Sequence, residues 1–360
     1  MSLVPASRAK RLKARVREMG LDALIVTDIF NIRYLSGFTG SSACVVITPE
    51  NAYFLTDSRY ETQAISEMPG NFKLKIYGSN WIDGANELFK RLKPALAGFE
   101  SNRLSYDLHA KLKKAVKGTR FTPALDVVRE FRKVKDKAEI NYIRCSIEAL
   151  ESGFKEVKRR LRPGVVEKDV AFCAELAMRK NGAERLAFDS IVASGPRAAL
   201  PHGKASDKAI KKGEFVVVDM GARLDGYNSD ETRTYLTGKP GALHKKIYAT
   251  VLEAQLRAID GIRPGAKAAD VDTAARGVIK KAGYGKYFGH ALGHGVGLEV
   301  HEGPALSPLS KDVLREGMVV TVEPGIYVPD WGGVRIEDMA LVTRHGCEII
   351  TKTDKMLCLL

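Results

Sequence analysis

Apolar and polar residues alternate in short blocks over the first third of the chain. Apolar residues recur at helical spacing among cations near the start, which predicts an amphipathic helix over residues 7–19. A hairpin signal joins the last two of three apolar runs of strand length, at 23–27, 43–48 and 52–56. A Gly-containing loop is predicted at 31–40, and Asp57 is predicted to cap the next helix. This part is therefore predicted to be α/β, without a convergent cluster of acidic, His or Cys residues.

Longer helices are predicted after residue 130. Asp136 and Glu139 form a capping-box pattern, and the helix that they open has one apolar face, at Ile140, Ile143, Ile147 and Leu150. Further helices are predicted at 167–182, 241–260 and 268–282. The last third consists of Gly-rich loops and strands. We place a domain boundary near 125–135, which gives two domains, 1–130 and 131–360.

The run 215–235 carries two acidic residues in a hairpin pattern. Val216 to Val218 form a burial-prone strand that ends on Asp219, although a carboxylate is costly to bury unless it is paired or binds a metal. Asp225-Gly226 then favours a tight turn, and the chain returns through Asp230. On this run alone, two surface aspartates beside a turn explain the pattern equally well.

More candidate ligands follow in the last third. A second apolar strand, 319–322, ends on Glu323, and Glu337 lies in the apolar run 334–338. His290 and His294 are four residues apart, but the glycines around them argue against a helix, so they need not act as a pair. Taken singly, each of these residues has an ordinary structural explanation: a His in a Gly-rich loop, a turn cap, or an ion pair with Arg335.

Together these residues predict a metal centre. Four buried carboxylates that lie close together repel one another unless positive charge lies between them. Two divalent cations balance four carboxylates, and one neutral imidazole completes an oxygen-rich ligand set. Such a set favours Mn²⁺ over a thiolate zinc site, with Co²⁺ or Zn²⁺ as alternatives.

Composition narrows the class of protein. The chain has 360 residues, 45% of them hydrophobic, and a net charge of +14. Its cations are spread over helix-like segments without interleaved aromatic residues, so we predict a solvated basic surface and no nucleic-acid partner. No run is long enough to span a bilayer, so no membrane partner is expected. Five scattered cysteines without a Cys-x-x-Cys pair predict reduced thiols and a cytoplasmic location.

The order of these motifs resembles the pita-bread metallopeptidases, the superfamily of methionine aminopeptidase, aminopeptidase P and prolidase. The resemblance rests on the eleven-residue step between two aspartates, Gly-His-Gly-Val-Gly, Glu-Pro-Gly and Arg-Ile-Glu-Asp. It implies a mixed α/β (α+β) protein, with a C-terminal pita-bread metallopeptidase domain preceded by a creatinase-like N-terminal α/β domain. The N-terminal part points to the Xaa-Pro branch, because simple methionine aminopeptidases lack it.

The resemblance also implies roles. Asp219 would hold one metal, Asp230 and Glu337 would bridge two, and His294 and Glu323 would complete the ligand set. Glu323 would also carry the proton of the attacking water. Four further residues would act on the substrate or support the ligands: His202, His290, His301 and Arg335. The implied partners are a proline-containing peptide and a second copy of the chain in a homodimer.

The predicted activity is hydrolysis of the Xaa-Pro bond at a peptide N-terminus by a hydroxide that two metals activate. A proline dipeptidase is favoured, because the fourteen residues from Glu323 to Glu337 resemble compact prolidases. Aminopeptidase P, which acts on longer peptides, is the close alternative. The intact ligand set disfavours a metal-free creatinase-type hydrolase and a non-catalytic peptidase-like binding module. The N-terminal part disfavours methionine aminopeptidase.

Overall fold

The structure is a computed structural model that describes residues 4–360. The chain forms two compact units, Met1–Arg132 and Lys133–Leu360. No helix among the described residues is long and apolar enough to cross a membrane.

The first unit is built on a mixed six-stranded sheet. The strands lie in the order β4-β3-β2-β1-β5-β6, and β1 is antiparallel to β2 but parallel to β5. Their bounds are β1 Ala23–Val26, β2 Cys44–Ile47, β3 Ala52–Asp57, β4 Phe72–Tyr77, β5 Leu96–Phe99 and β6 Arg120–Pro123. The helices are α1 Val4–Glu18, α2 Ile29–Ser36, α3 Glu61–Glu67, α4 Trp81–Leu92, α5 Tyr106–Ala115 and α6 Val127–Arg132.

The predicted loop at 31–40 is wrong over most of its length. Ile29–Ser36 is helical because Asp28 caps it, with a side-chain oxygen that accepts from the amides of Phe30 and Asn31. Gly37 ends the helix at φ 78°, the left-handed conformation that glycine adopts without steric cost. The glycines of this segment lie at and beyond the end of the helix, and the cap at Asp28 determines where it begins. By contrast, Asp57 does cap the next turn, as predicted.

Two helix pairs support the second unit. The capping box predicted at Asp136 and Glu139 is present at the start of the first helix. The helices are α7 Lys137–Arg160, α8 Glu167–Lys180, α9 Ala242–Ile259 and α10 Ala268–Lys281. Buried apolar residues of α7 and α8 share one core with Val216, Val218 and neighbouring strands. Those of α9 and α10 share another core with the strands that follow residue 290.

The strands of the second unit form four sheets, ordered β11-β10-β7, β20-β12-β9-β8, β14-β13-β15-β18-β19 and β16-β17. Their bounds begin with β7 Arg185–Leu186, β8 Ile191–Ser194, β9 Phe215–Met220, β10 Ala222–Leu224, β11 Tyr227–Asn228 and β12 Glu231–Leu236. The later strands are β13 Gly293–Gly295, β14 Glu302–Leu306, β15 Val319–Val322, β16 Gly325–Val328, β17 Gly332–Arg335, β18 Asp338–Val342, β19 Cys347–Ile349 and β20 Cys358–Leu359.

The acidic hairpin forms as its pattern predicts. β9 and β12 are antiparallel, with Asp219 opposite Thr232. β10 and β11 extend the hairpin, and the turn between them is made by Asp225 and Gly226 at φ 48° and 80°. Two consecutive residues with positive φ are the signature of a type I′ turn, in which Asp-Gly is favoured. The hairpin therefore brings Asp219 and Asp230 to the same end of the sheet.

Candidate active site

A cavity of about 550 Å³ in the second unit brings the predicted residues together. All nine of them line it: Asp219, Asp230, His294, Glu323, Glu337, His202, His290, His301 and Arg335. Most of the acidic residues stand where strands end, Asp230 just before β12, Glu323 just after β15, and Glu337 between β17 and β18. The strand ends thus point several carboxylates at one volume.

His294 is oriented as a ligand would be. Its Nδ1 lies 3.1 Å from the carbonyl oxygen of Gly295, which can only accept, so Nδ1 carries the proton. Nε2 then presents its lone pair to the cavity, 3.3 Å from Oε1 of Glu323 and 3.6 Å from Oδ2 of Asp230. Ligand atoms of Asp230, His294 and Glu337 all lie within 4.8 Å of one another, close enough to hold one metal ion.

Asp219 and Glu337 are held by a shared set of donors. Arg335 Nη2 donates to Oδ2 of Asp219 at 2.6 Å, and its Nε donates to Oγ1 of Thr232 at 3.0 Å. Thr232 Oγ1 in turn donates to Oε2 of Glu337 at 2.7 Å. The other oxygen of Asp219, Oδ1, is buried and has no hydrogen-bond partner among the described residues. A buried, unpartnered carboxylate oxygen is costly, and a cation would satisfy it.

The electrostatics of the site fit a cation. Burial raises the pKa of Asp230 well above its usual range, and the charges of Glu337 and Asp219 raise it further. Burial, with the charges of Glu323 and Asp219, does the same to the pKa of Glu337. Burial also raises the pKa of Asp219, against the opposing charge of Arg335. Positive charge among these oxygens would relieve both the burial cost and the repulsion.

Glu323 differs from the other carboxylates. Burial alone would raise its pKa, but the hydrogen bond and charge of His294, together with Arg335, lower the pKa below its usual value. The same contact with Glu323 outweighs burial and raises the pKa of His294. Glu323 is therefore the carboxylate that most readily stays ionised here.

Tyr327 links the ligands to His290, and the sequence interpretation missed it. Its hydroxyl accepts from Arg335 Nη1 at 2.9 Å and lies 3.0 Å from Nε2 of His290. His290 Nδ1 lies 2.7 Å from the carbonyl oxygen of Ala291 and must donate to it. Burial lowers the pKa of His290, so the neutral ring accepts the Tyr327 proton at Nε2. A hydrogen-bond chain thus runs from Asp219 through Arg335 and Tyr327 to His290.

His202 and His301 face the cavity from loops. Burial lowers the pKa of His301, as does its neighbour His294, whose ring centroid is 4.2 Å away. His202 follows Pro201, whose carbonyl oxygen accepts from Arg335 Nη1 at 3.1 Å. Both histidines line the cavity, so both can reach a bound peptide.

A buried ion cluster lies behind the ligands and was also missed. Arg233, which is 2% exposed, contacts Asp338 at 2.7 Å and Glu231 at 2.6 Å. It also donates to the carbonyl oxygen of Glu337. Glu231 directly follows Asp230 in the chain, and Asp338 directly follows Glu337. The cluster therefore fixes the backbone on both sides of two candidate ligands.

The glycines beside His294 allow close backbone packing. A Cβ on Gly293 would lie 2.0 Å from the carbonyl oxygen of Thr321, and one on Gly295 would lie 2.2 Å from that of Gly303. Only glycine fits at either position, which explains the Gly-rich pattern around the histidine.

Two family models and several known proteins match this chain. The sequence model described as metallopeptidase family M24 matches residues 141–344. The one described as the creatinase/prolidase N-terminal domain matches residues 8–134. A Xaa-Pro dipeptidase of Pyrococcus horikoshii is 40% identical over 353 residues, which are 97% of this chain and 98% of that protein.

Solved structures match over nearly the whole chain. A Xaa-Pro dipeptidase from Bacillus anthracis is 42% identical with a TM-score of 0.96, covering 99% of this chain and 100% of that one. An X-Pro aminopeptidase from Thermotoga maritima is 40% identical with a TM-score of 0.88, covering 96% and 100%. The predicted fold and the predicted kinship are confirmed: this chain is a peptidase that belongs to metallopeptidase family M24 and carries a creatinase/prolidase N-terminal domain.

Proposed function

We propose that the protein is a Xaa-Pro dipeptidase that depends on two divalent cations, with Mn²⁺ as the preferred ion. The observation that carries the proposal is the convergence of buried carboxylates and the Nε2 of His294 on one cavity, with an unpartnered oxygen on Asp219. The likeness to Xaa-Pro dipeptidases at 40% and 42% identity supports the substrate class.

Five residues would hold the cations: Asp219, Asp230, His294, Glu323 and Glu337. Oxygen-rich ligands with one imidazole suit Mn²⁺. When bound, such ions lower the pKa of an attacking water and polarise the scissile carbonyl. Arg335 and Thr232 keep the carboxylates in place from behind.

The proton is moved by Glu323. The charge of Arg335 favours the ionised form of its carboxylate, so it can take a proton from the attacking water and pass it to the leaving nitrogen. His301 is neutral, exposed to the cavity, and able to donate to the oxygen on which negative charge develops. His202 lines the same cavity and would contact the proline nitrogen of a bound substrate.

Selectivity for proline comes from shape. The Xaa-Pro bond has no N–H, so the enzyme cannot recognise it through a hydrogen bond from that nitrogen. The cavity instead offers apolar surface beside its polar groups, at Phe188, Ile191, Pro201, Ala291 and Ala305. These side chains would enclose the pyrrolidine ring.

The decisive experiment compares Ala-Pro, Ala-Pro-Ala and Ala-Ala as substrates, with Mn²⁺ and after chelation. Metal-dependent release of proline from Ala-Pro, with slow cleavage of the other two, supports the dipeptidase. Preferred cleavage of Ala-Pro-Ala would assign an X-Pro aminopeptidase, the alternative that the Thermotoga maritima structure favours. Activity that survives chelation would contradict the metal assignment.

We also propose a domain division at 1–130 and 131–360, a homodimer, and a cytoplasmic location. The matched ranges 8–134 and 141–344 support the division. The resemblance to dimeric Xaa-Pro peptidases supports the dimer, and five free cysteines support a reducing compartment. Light scattering tests the dimer, which requires twice the chain mass of 39.4 kDa.

A further inference from the structure

Five acidic residues line the cavity, four of them candidate metal ligands, and a dipeptide must bring its own carboxylate into it. Besides the candidate ligands, one more acid, Asp189, lies at its edge. Arg335 is buried and already donates to Asp219, Thr232, Tyr327 and Pro201. Lys204 is the other Lys or Arg among the lining residues, and its side chain is 72% exposed. It is therefore the lining ammonium that a substrate carboxylate can reach.

Hydrogen bonds to one buried carboxylate, that of Glu167, hold the chain segment around Lys204 in place. Glu167, whose side chain is fully buried, accepts from the backbone and hydroxyl of Ser194, both at 2.8 Å. It also accepts from the backbone and hydroxyl of Ser206, at 3.1 and 2.7 Å. One carboxylate thus ties together both ends of the segment 194–206, which carries Lys204.

Arg197, which lies within this segment, links Glu167 to the backbone of Lys204. Its Nη1 donates to Glu167, and its Nη2 donates to the carbonyl oxygen of Lys204 at 2.7 Å. Pro201 is fixed separately by Arg335. The backbone at Lys204 is therefore held by several hydrogen bonds, while its side chain is mostly exposed at the cavity edge.

The Nζ of Lys204 pairs with Oδ2 of Asp189, whose side chain is also 72% exposed. Ion pairs at such exposed positions are weak, because water screens them and both side chains lose freedom. Asp189 therefore holds the Lys204 ammonium at the mouth of the cavity only weakly. A carboxylate positioned by a bound substrate can displace Asp189.

We propose that Lys204 binds the free C-terminal carboxylate of the dipeptide substrate, and that Asp189 holds the ammonium when no substrate is bound. This assignment rests on the proposed dipeptidase function. Lys204 acts on binding and on the choice of peptide length, and it takes no part in the chemical step. A longer peptide would place an uncharged amide group beside the Lys204 ammonium, and an amide cannot form an ion pair with it.

A neighbouring lysine provides a matched control. Lys286 lines an adjoining cavity with Pro201, Tyr287 and Tyr327, but it does not line the cavity that holds the candidate ligands. Its Nζ lies 4.8 Å from the centroid of the Tyr287 ring, a contact that already stabilises the charge. We therefore expect Lys286 to contribute little to carboxylate binding.

The test compares Ala-Pro with its C-terminal amide, which lacks the carboxylate, in wild type, Lys204→Met, Lys204→Arg and Lys286→Met. Lys204→Met should lower kcat/KM for Ala-Pro about 10-fold to 100-fold, mostly through KM, the range for losing a charge-assisted hydrogen bond. It should leave kcat/KM for the amide unchanged. Lys204→Arg should retain most of the activity, and Lys286→Met should match wild type.

Asp189→Asn gives a second readout, which a purely structural role would not produce. Freed from its ion pair, Lys204 should bind the carboxylate better, so KM for Ala-Pro should fall while KM for the amide stays constant. An equal loss on both substrates in Lys204→Met, no loss at all, or a loss in Lys286→Met instead would overturn the assignment while leaving the dipeptidase intact. If wild type fails to cleave Ala-Pro, the proposed function itself is wrong and this assignment falls with it.

Discussion

Arg335 donates to one oxygen of Asp219 at 2.6 Å and leaves the other oxygen of that carboxylate buried without a hydrogen-bond partner among the described residues. A purely structural ion pair would gain from bidentate contact, since the guanidinium fork matches a carboxylate. Here the other N–H groups of Arg335 donate to Thr232, Tyr327 and Pro201. The free oxygen is therefore available to a cation, and Arg335 orients it.

Replacing Asp230 with Asn should abolish peptidase activity and leave the protein folded. The substitution removes an anionic ligand, but it also replaces a buried carboxyl group whose pKa is raised by burial and by the charges of Glu337 and Asp219. The metal-free protein should thus lose no stability, while kcat falls about 1000-fold or more, as expected for losing electrostatic stabilisation of the transition state. Steady-state kinetics with Mn²⁺ and thermal unfolding after chelation check both halves. If Asp230→Asn retained most of the wild-type rate, the assignment of Asp230 as a metal ligand would be wrong.

Adding Mn²⁺ should stabilise the folded protein. A ligand that binds only the folded state at about 100 times its Kd contributes about 2.7 kcal/mol. The melting temperature of the chelated protein should therefore rise with Mn²⁺ concentration, whereas Asp230→Asn should show little or no shift. Differential scanning calorimetry measures this without any substrate. An unchanged melting temperature for wild type, at concentrations that activate it, would contradict the metal assignment.

Much of the candidate site could be predicted because its signals are local. Asp219 and Glu323 each follow a short valine-rich run that is expected to be buried, and a carboxylate there is costly unless it is paired or binds a metal. A few neighbouring residues are enough to show this. The hairpin at Asp225-Gly226 is equally local, since two residues determine the turn. Such features survive in the sequence whatever the rest of the fold does.

What the sequence could not predict depends on distant contacts. Tyr327 looks like any aromatic residue in a strand, and its role exists only because β16 pairs with β17 and brings its hydroxyl to Arg335. Glu167 resembles an ordinary first-turn acid of a helix, yet its partners come from Ser194, Arg197 and Ser206. No pattern of neighbouring residues encodes these pairings, because tertiary packing creates them.

Tyr327→Phe should lower kcat more than it changes KM. The substitution keeps the ring but removes the hydroxyl that accepts from Arg335 and meets Nε2 of His290. A lost hydrogen bond that leaves a buried partner unsatisfied costs about 1–3 kcal/mol, so we expect a decrease of roughly 10-fold to 100-fold. Tyr287→Phe, on the adjoining cavity, serves as the control and should behave as wild type. Equal kinetics for the two variants would refute the positioning role.

Gly293→Ala should destabilise the protein or prevent its folding. The new Cβ would lie 2.0 Å from the carbonyl oxygen of Thr321, which belongs to strand β15 and cannot move freely. Gly289→Ala is the matched control, since nothing among the described residues lies within 4 Å of a Cβ placed there. Urea unfolding should show a loss of several kcal/mol for the first variant and a change of about 0.5 kcal/mol or less for the second. Similar stabilities would mean that β13 and β15 are not packed as described.

Arg233→Met should lower the free energy of unfolding far more than Arg144→Met, although each substitution removes one arginine from an ion pair. Arg233 is buried against Asp338 and Glu231, and removing it leaves two buried acids with less compensating charge. Breaking a buried pair in this way costs about 3–5 kcal/mol. Arg144 pairs with Glu348 where both side chains are exposed by more than a third, so its loss should cost about 1 kcal/mol or less. Chemical unfolding of the metal-free proteins compares the two.

Because Arg233 also fixes the backbone of Glu337, its variant should bind Mn²⁺ more weakly, whereas Arg144→Met should bind it as wild type does.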